Sequence, residues 1–359
     1  MKKWIGIPVL LLWAVLTAAL WFGPRQAMSD TERRPLAKMP DITAETILNG
    51  KFMKDFESFT LDQFPLRDGF RTIKSLTHYF ALGQRDNNGI YLSQGSAVKQ
   101  EYPLNEGSLN HALERFQWIY DNYLGSSRVY AAVIPDKGYY LSQGNLSMDY
   151  DRLFATVEEK MPWATHIDLR PTLEASDYYC TDTHWRQEQL VDTSAVIADA
   201  MGITAPQPQD FQQTMVDRPF YGVYYGQAAL PMAPDSLYLM QSQLLSDCQV
   251  LDYETGQRKP VYDLEKLEGK DLYEVFLSGP KSLLTIENPQ GDPAKELIVF
   301  RDSFGSSLVP LLVQDYGKVT LVDIRYIQSP ILGRFLDFSG KDVLFLYSTL
   351  VLNNSNTMK

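Results

Sequence analysis

A mixed α/β architecture, with a parallel sheet covered by helices and a β-rich insertion, is the fold class this sequence predicts. Three observations predict it. From about residue 106 onward, short apolar runs alternate with helical stripes, the pattern of strands joined by crossover helices. Between about 206 and 289 that alternation gives way to tyrosine-rich short strands and turns such as "SLYLMQSQLL" and "VLDYETGQRKPVYD", which read as the insertion. The chain has 359 residues, 45% hydrophobic and 12% aromatic, which is ample for a large buried core.

In chain order, the run Trp4 to Phe22, "WIGIPVLLLWAVLTAALWF", is uncharged and follows Lys2 and Lys3. Its length is close to the roughly 20 residues needed to cross a bilayer. It exceeds the ~7–15-residue apolar region of a cleavable signal peptide and lacks a small-residue exit, so residues 1–23 are expected to be an uncleaved transmembrane anchor. The positive-inside rule then puts the bulk of the chain on the extracytoplasmic side of the cell membrane, held by a single pass. Residues 24–105 are expected to hold a polar, proline-broken stalk, then two amphipathic helices and a small hairpin. The helices are read from Phe52, Phe56 and Phe59 and from Phe70, Ile73 and Leu76, on either side of "FPLRD", and the hairpin from the Asn-Asn-Gly step of "NNGIYLSQGS".

Residues 106–359 are expected to be the main domain. Leu109, Leu113, Phe116, Tyr120 and Tyr123 mark a helix ended by Gly125, and "RVYAAVIP" and "THIDL" read as strands. Arg186 to Met201 reads as a helix closed by Gly202. "ELIVF" should be a buried strand followed by a small-residue turn and an amphipathic helix, with "KVTLVDI" and "KDVLFLYST" completing the sheet.

The 33 basic and 44 acidic residues give a net charge of −11, without the basic stripe that a phosphate backbone requires, so nucleic acid is excluded as a partner. Cys180 and Cys248 read as two separate thiols, with a bridge between them as the alternative. No cofactor is called for.

Reactive groups in open α/β sheets gather at the carboxyl ends of strands. That rule selects Asp302 and Ser303 after "ELIVF", Asp182 and His184 after "THIDL", and Asp136 and Lys137 after "AAVIP". Ser303 sits in a strand-turn-helix setting that exposes a hydroxyl beside free amides, and Gly305 lets the backbone approach closely. The bland reading of Ser303 is a helix cap. His184 suits the general base, and Asp182, two residues away on the same face of an extended segment, suits the carboxylate that orients it. Two other uses stay open: a metal site drawing on Asp177, Asp182, His184 and His166, or a packed polar pair with no chemistry. Lys137 and Arg325 are either ion-pair members or substrate contacts, and the pairs Tyr139-Tyr140, Tyr178-Tyr179 and Tyr224-Tyr225 offer faces that stack on sugar rings.

The segment "YYCTDTHW" resembles the signature of the DHHW family, and "SDTERRPLAKMP", "FPLRD", "VIPDK" and "VFRDSF" fall in the order that family shows. The chain departs from the pattern at Thr183, where the family motif has histidine, and at Arg301, which replaces the glycine of the common G-D-S block. More distantly it is similar to the SGNH-hydrolase-like domain of the alginate O-acetyltransferases AlgJ and AlgX. That resemblance implies a three-layer, flavodoxin-like α/β/α domain in which Asp182, His184 and Ser303 form the acetyltransferase triad. Lys137, Arg301, Gly305 and Tyr179 then stand as candidates for substrate or oxyanion contacts. It also implies a membrane O-acyltransferase partner that supplies acetyl groups. The expected function is an anchored O-acetyltransferase or acetylesterase acting on a cell-envelope polysaccharide, the alternative being a non-catalytic glycan-binding or scaffolding subunit.

Overall fold

The computed structural model describes residues 2–359, with side chains from Gly6 onward. The chain forms two compact units, one made of the residues up to Asn88 with Tyr225–Met232, the other of Gly89–Tyr224 with Ala233–Lys359.

In the first unit, α1 (Lys2–Phe22) occupies the expected anchor. Met1 and the side chains of residues 2–5 fall outside the described residues, and among the described residues no helix is long and apolar enough to cross a membrane. The expected amphipathic pair is present as α2 (Lys51–Asp62) and α3 (Arg67–Leu76). Phe52 stacks on Phe56 with ring centroids 5.7 Å apart, and Phe59 is buried beside them.

The second unit opens with a hairpin, β1 (Ile90–Ser93) against β2 (Ser96–Lys99). Its turn is Gln94-Gly95, both residues with positive φ as a two-residue hairpin demands, and the Asn-Asn-Gly step read from the sequence makes a turn of the same kind just before it, at Asn88-Gly89 with φ 55° and 71°. The stripe from Leu109 becomes α4 (Glu106–Tyr123), capped by the Asn105 side chain on the Ser108 amide. The strands β3 (Arg128–Ile134) and β4 (Thr165–Asp168) follow, separated by α5 (Lys137–Leu141) and α6 (Tyr150–Lys160).

The helix expected over 186–201 begins instead as a 3-10 turn, Gln187–Gln189, and becomes α-helical only at α7 (Val191–Met201), where Gly202 closes it at φ 70°. The remaining strands of the main sheet are β5 (Gln249–Asp252), β6 (Arg258–Lys259), β7 (Leu283–Glu287), β8 (Asp292–Arg301), β9 (Tyr316–Val322) and β10 (Asp342–Ser348).

They form one eight-stranded sheet of order β6-β5-β7-β9-β8-β10-β3-β4. Strands β9, β8, β10, β3 and β4 run parallel, and β7, β5 and β6 add antiparallel. The segment read as an insertion therefore does not simply break the alternation, because its β5 and β6, followed by β7, widen the main sheet. The two-residue edge strand Arg258–Lys259 is short and charged, which keeps the edge from pairing further.

Strand β8 shows why the sheet is central. Leu297 and Val299 point into a core on one face, with Trp185, Ile197 and Leu308, while Ile298 and Phe300 point into a core on the other, with Phe116, Leu153 and Phe345. The amphipathic helix expected after Ser303 is only a single turn, α8 (Gly305–Leu308), continued by a 3-10 turn over Val309–Leu312. Pro310 has no amide for an α ladder, and residues 304–313 are all buried, so the stretch is core rather than a surface helix.

Candidate active site

Three strand ends meet at one edge of this sheet and are tied together by side chains. Asp302, just past β8, accepts from the amide and hydroxyl of Ser348 at the end of β10, at 2.8 and 2.6 Å. Thr349 donates its hydroxyl to Asp136, just past β3, at 2.7 Å, and accepts from the Asp136 amide at 3.0 Å. The other Asp302 oxygen accepts from the Phe304 amide at 3.0 Å, which bends the chain sharply at Ser303. Asp302 thus builds the turn that presents Ser303.

The segment 178–185 is a tight loop. Tyr178 bridges Trp185, and the Tyr179 amide donates to the His184 carbonyl at 3.1 Å, leaving Cys180 to Thr183 at the tip. Its position is held from several sides. The carboxylate of Asp235 accepts from the amides of Cys180 and Thr181 at 2.7 and 2.8 Å and from the Thr181 hydroxyl at 2.5 Å. Trp185 donates its indole N–H to the Phe304 carbonyl and the Ser307 hydroxyl, both at 3.0 Å, and Gln187 donates to the Ser307 carbonyl at 2.8 Å. The loop is therefore bolted directly to the serine turn.

The geometry that results joins all three residues singled out in the sequence. His184 Nε2 lies 2.8 Å from Ser303 Oγ, and His184 Nδ1 lies 2.6 Å from Asp182 Oδ1. Asp182 is buried, whereas His184 and Ser303 are partly open to solvent. Burial by itself would raise the Asp182 pKa. The neighbouring His184 charge, together with hydrogen bonds from the His184 side chain and the Val223 and His184 amides, holds it well below the usual carboxylate range. The arrangement fits proton abstraction from a hydroxyl by an oriented imidazole.

Four expected contacts lie elsewhere than anticipated. Lys137 is fully buried at the start of α5, and its Nζ donates to the carbonyls of Tyr179 and Cys180 at 2.8 and 3.3 Å, so it braces the loop from within and does not face a substrate. Burial pushes its pKa down to about 8. Tyr179 is also fully buried, edge-on to Phe220, and Tyr178 donates its hydroxyl to the Pro135 carbonyl. The tyrosine pair in this loop is packing, not a sugar platform. Arg301 is buried, with Nη1 on the Asp302 carbonyl at 3.3 Å, and a side chain at Gly305 would strike Arg301 Cβ at 2.9 Å. Gly305 is small to accommodate Arg301, not a ligand.

The amides expected to be free for an oxyanion are mostly engaged. Phe304 N–H is taken by Asp302 Oδ1, Gly305 N–H by the Asp302 carbonyl, and Ser306 N–H by the Ser303 carbonyl. The Ser303 amide takes part in none of these bonds. Arg325 is ion-paired with Asp323, at 2.9 and 2.6 Å. His166 bonds the Met161 carbonyl and Asp177 accepts from the Glu174 amide. Among the described residues, no three His, Cys, Asp or Glu side chains gather to hold a metal ion. Both cysteines are free, Cys180 exposed and Cys248 buried.

Other residues of the site escaped the sequence reading. Tyr273 stacks on the His184 ring, centroids 3.8 Å apart and planes within 9°, and its hydroxyl is 2.9 Å from Ser307 Oγ. Thr183, at the departure from the family motif, accepts from the Tyr224 hydroxyl at 3.0 Å. Gly222 lies against Asp182: an added Cβ would stand 2.3 Å from Asp182 Cα and 2.5 Å from its Oδ2. Gly222→Ala must therefore displace the carboxylate. It is expected to lower turnover of an acetyl ester at least about 10²-fold, because a shift near 1 Å in a catalytic group costs that much. Overpacking should also cost about 1–3 kcal/mol of stability, read from urea unfolding.

Residues 168–322 match the family model described as "DHHW protein". No curated protein matches the chain. Among solved structures, a DHHW family protein from Eubacterium siraeum DSM 15702 is similar with a TM-score of 0.61 at 17% identity, over 76% of this chain and 94% of that one. Bacillus cereus PatB1 with a sulfonyl adduct follows, with a TM-score of 0.55 at 18% identity, over 73% of this chain and 95% of that one. The O-acetyltransferase domain of Pseudomonas putida AlgJ matches with a TM-score of 0.46 at 15% identity, over 74% of this chain and 92% of that one.

Proposed function

We propose, for a chain whose residues 168–322 carry the DHHW family pattern, an SGNH-hydrolase-like domain that acts as an O-acetyltransferase or acetylesterase on a cell-envelope polysaccharide. Ser303 Oγ attacks an acetyl carbonyl while His184 Nε2 takes its proton. The donor's leaving oxygen departs with that proton, which leaves an acetyl ester on Ser303. A sugar hydroxyl, or water, then gives its proton to His184 and attacks the ester, restoring Ser303. Asp182 holds the imidazole in the tautomer with Nδ1–H and stabilises the imidazolium that forms in each half-reaction. The single observation that carries this reading is the hydrogen-bonded chain from Asp182 through His184 to Ser303, 2.6 and 2.8 Å long.

The rest of the reading extends from that site. The N-terminal helix is taken as a single-pass anchor that keeps the domain on the extracytoplasmic side, where a membrane O-acyltransferase would supply acetyl groups. A sulfonyl fluoride is the natural probe, since PatB1, a structural neighbour, bears a sulfonyl adduct. Treatment of the whole chain with phenylmethylsulfonyl fluoride is expected to add one sulfonyl group to the peptide containing Ser303, and the His184→Ala protein should react far more slowly. Equal labelling of the two proteins, or labelling elsewhere only, would remove the nucleophile assignment.

A further inference from the structure

Helix α3 is amphipathic in the sense opposite to that of a helix packed in water. Its inward row is polar: Arg71 reaches Glu32 at 3.1 Å and the Gly226 carbonyl at 2.7 Å, and the buried Ser75 accepts from Asn87 at 2.8 Å. Arg67 in the same row pairs with Glu32. Its outward row is apolar. Leu66, Phe70 and Ile73 recur at helical spacing, Phe80 continues the row in the following π turn, and they are 78%, 45%, 61% and 72% exposed. A water-facing surface selects the reverse, and contiguous exposed apolar rows mark a surface that something covers.

Two further observations favour lipid as the cover. First, the row belongs to the same unit as α1, whose Leu10, Leu12 and Trp13 are likewise exposed and apolar, and whose end is joined to α2 by Trp21 against Phe56 at 6.2 Å and by Arg25 over Phe59 at 4.8 Å. Second, the charge balance differs. Beyond α1, residues 24–88 hold 10 Lys and Arg against 9 Asp and Glu, whereas residues 89–359 hold 21 against 35, so the segment that carries the apolar row lacks the acidic excess of the rest of the chain. An exposed apolar row without an acidic excess around it is what a bilayer interface takes up.

We propose that the Leu66–Phe80 face lies in the interface of a phospholipid bilayer, as a second contact beside α1. This rests on the reading that α1 is in lipid, and the experiment separates the two. The full chain, in a Cys180→Ser background with Cys248 buried, carries a spin label at Leu12→Cys, Ile73→Cys or Phe80→Cys. It is reconstituted in phosphatidylcholine–phosphatidylglycerol vesicles, and label collisions with oxygen and with a water-soluble nickel chelate are compared.

The oxygen-to-nickel ratio at 73 and 80 is expected to rise toward that of the Leu12 label. A lipid-like Leu12 label with 73 and 80 open to nickel overturns the proposal and leaves the α1 reading standing. Protection of 73 and 80 from both reagents overturns it in favour of cover by a second copy. A Leu12 label in water removes the premise, and the proposal with it.

Discussion

Replacing Ser303 by alanine should reduce turnover of an activated acetyl ester by about 10³-fold or more while the protein stays folded. The asymmetry follows from how the turn is built. Ser303 Oγ has one hydrogen-bond partner in the site, His184 Nε2, and losing that contact costs about 1 kcal/mol of stability. The turn itself does not depend on the hydroxyl, because Asp302 shapes it through the Phe304 amide and anchors it to Ser348. An alanine thus removes the attacking atom and leaves the loop, the histidine and its carboxylate in place. Steady-state hydrolysis of p-nitrophenyl acetate measures the effect, with urea unfolding as the stability control. Turnover equal to that of the native protein would sink the nucleophile and leave a glycan-binding role on a hydrolase-like fold as the surviving explanation.

The parallel core of the sheet was legible because its strands are continuous apolar runs, and "ELIVF" and "KDVLFLYST" can hardly be anything else. The three residues at its edge were legible because strand ends and a D-x-H spacing constrain where side chains emerge. What failed was chemistry that depends on burial. Lys137, Arg301 and Tyr179 are polar in type, so they read as surface or ligand-binding groups, yet each is buried and packed or bonded inside the protein. Sequence spacing carries no information about which polar residues a loop will enclose.

The supports from afar were equally hidden. Asp235 and Tyr273 lie 53 and 89 residues beyond Asp182 and His184, and they arrive at the site only because their segment folds back over one face of the sheet. Nothing in "YGVYYG" singles out one glycine, and only the fold shows that Gly222 is pressed against Asp182.

Asp182→Asn should be nearly as damaging to turnover as loss of the serine, and for a reason specific to this carboxylate. Three donors converge on it: the His184 amide at 3.1 Å and His184 Nδ1 at 2.6 Å share Oδ1, and the Val223 amide at 2.8 Å has Oδ2. An ionised carboxylate accepts all three, whereas an amide has one accepting oxygen and one donating nitrogen. If the oxygen stays toward His184, the NH₂ faces the Val223 N–H and a buried donor is left unpaired, at a cost of about 1–3 kcal/mol. If the amide flips, Nδ1 must accept, which puts the proton on Nε2 and removes the lone pair that should receive the Ser303 proton.

Either outcome impairs the base, and a fall in kcat of about 10³–10⁴-fold with little change in KM is expected, since Asp182 meets the histidine and not the substrate. The native carboxylate, with its pKa held well below the ordinary range, contributes stability that is present above roughly pH 4 and lost only as pH falls through its folded value. Protonation of Asp182 therefore cannot set an acid limb of the rate profile above about that pH. A variant that loses stability but keeps its kcat would reduce Asp182 to a scaffold for the loop and would break the link between Asp182 and the histidine that the proposed chemistry needs.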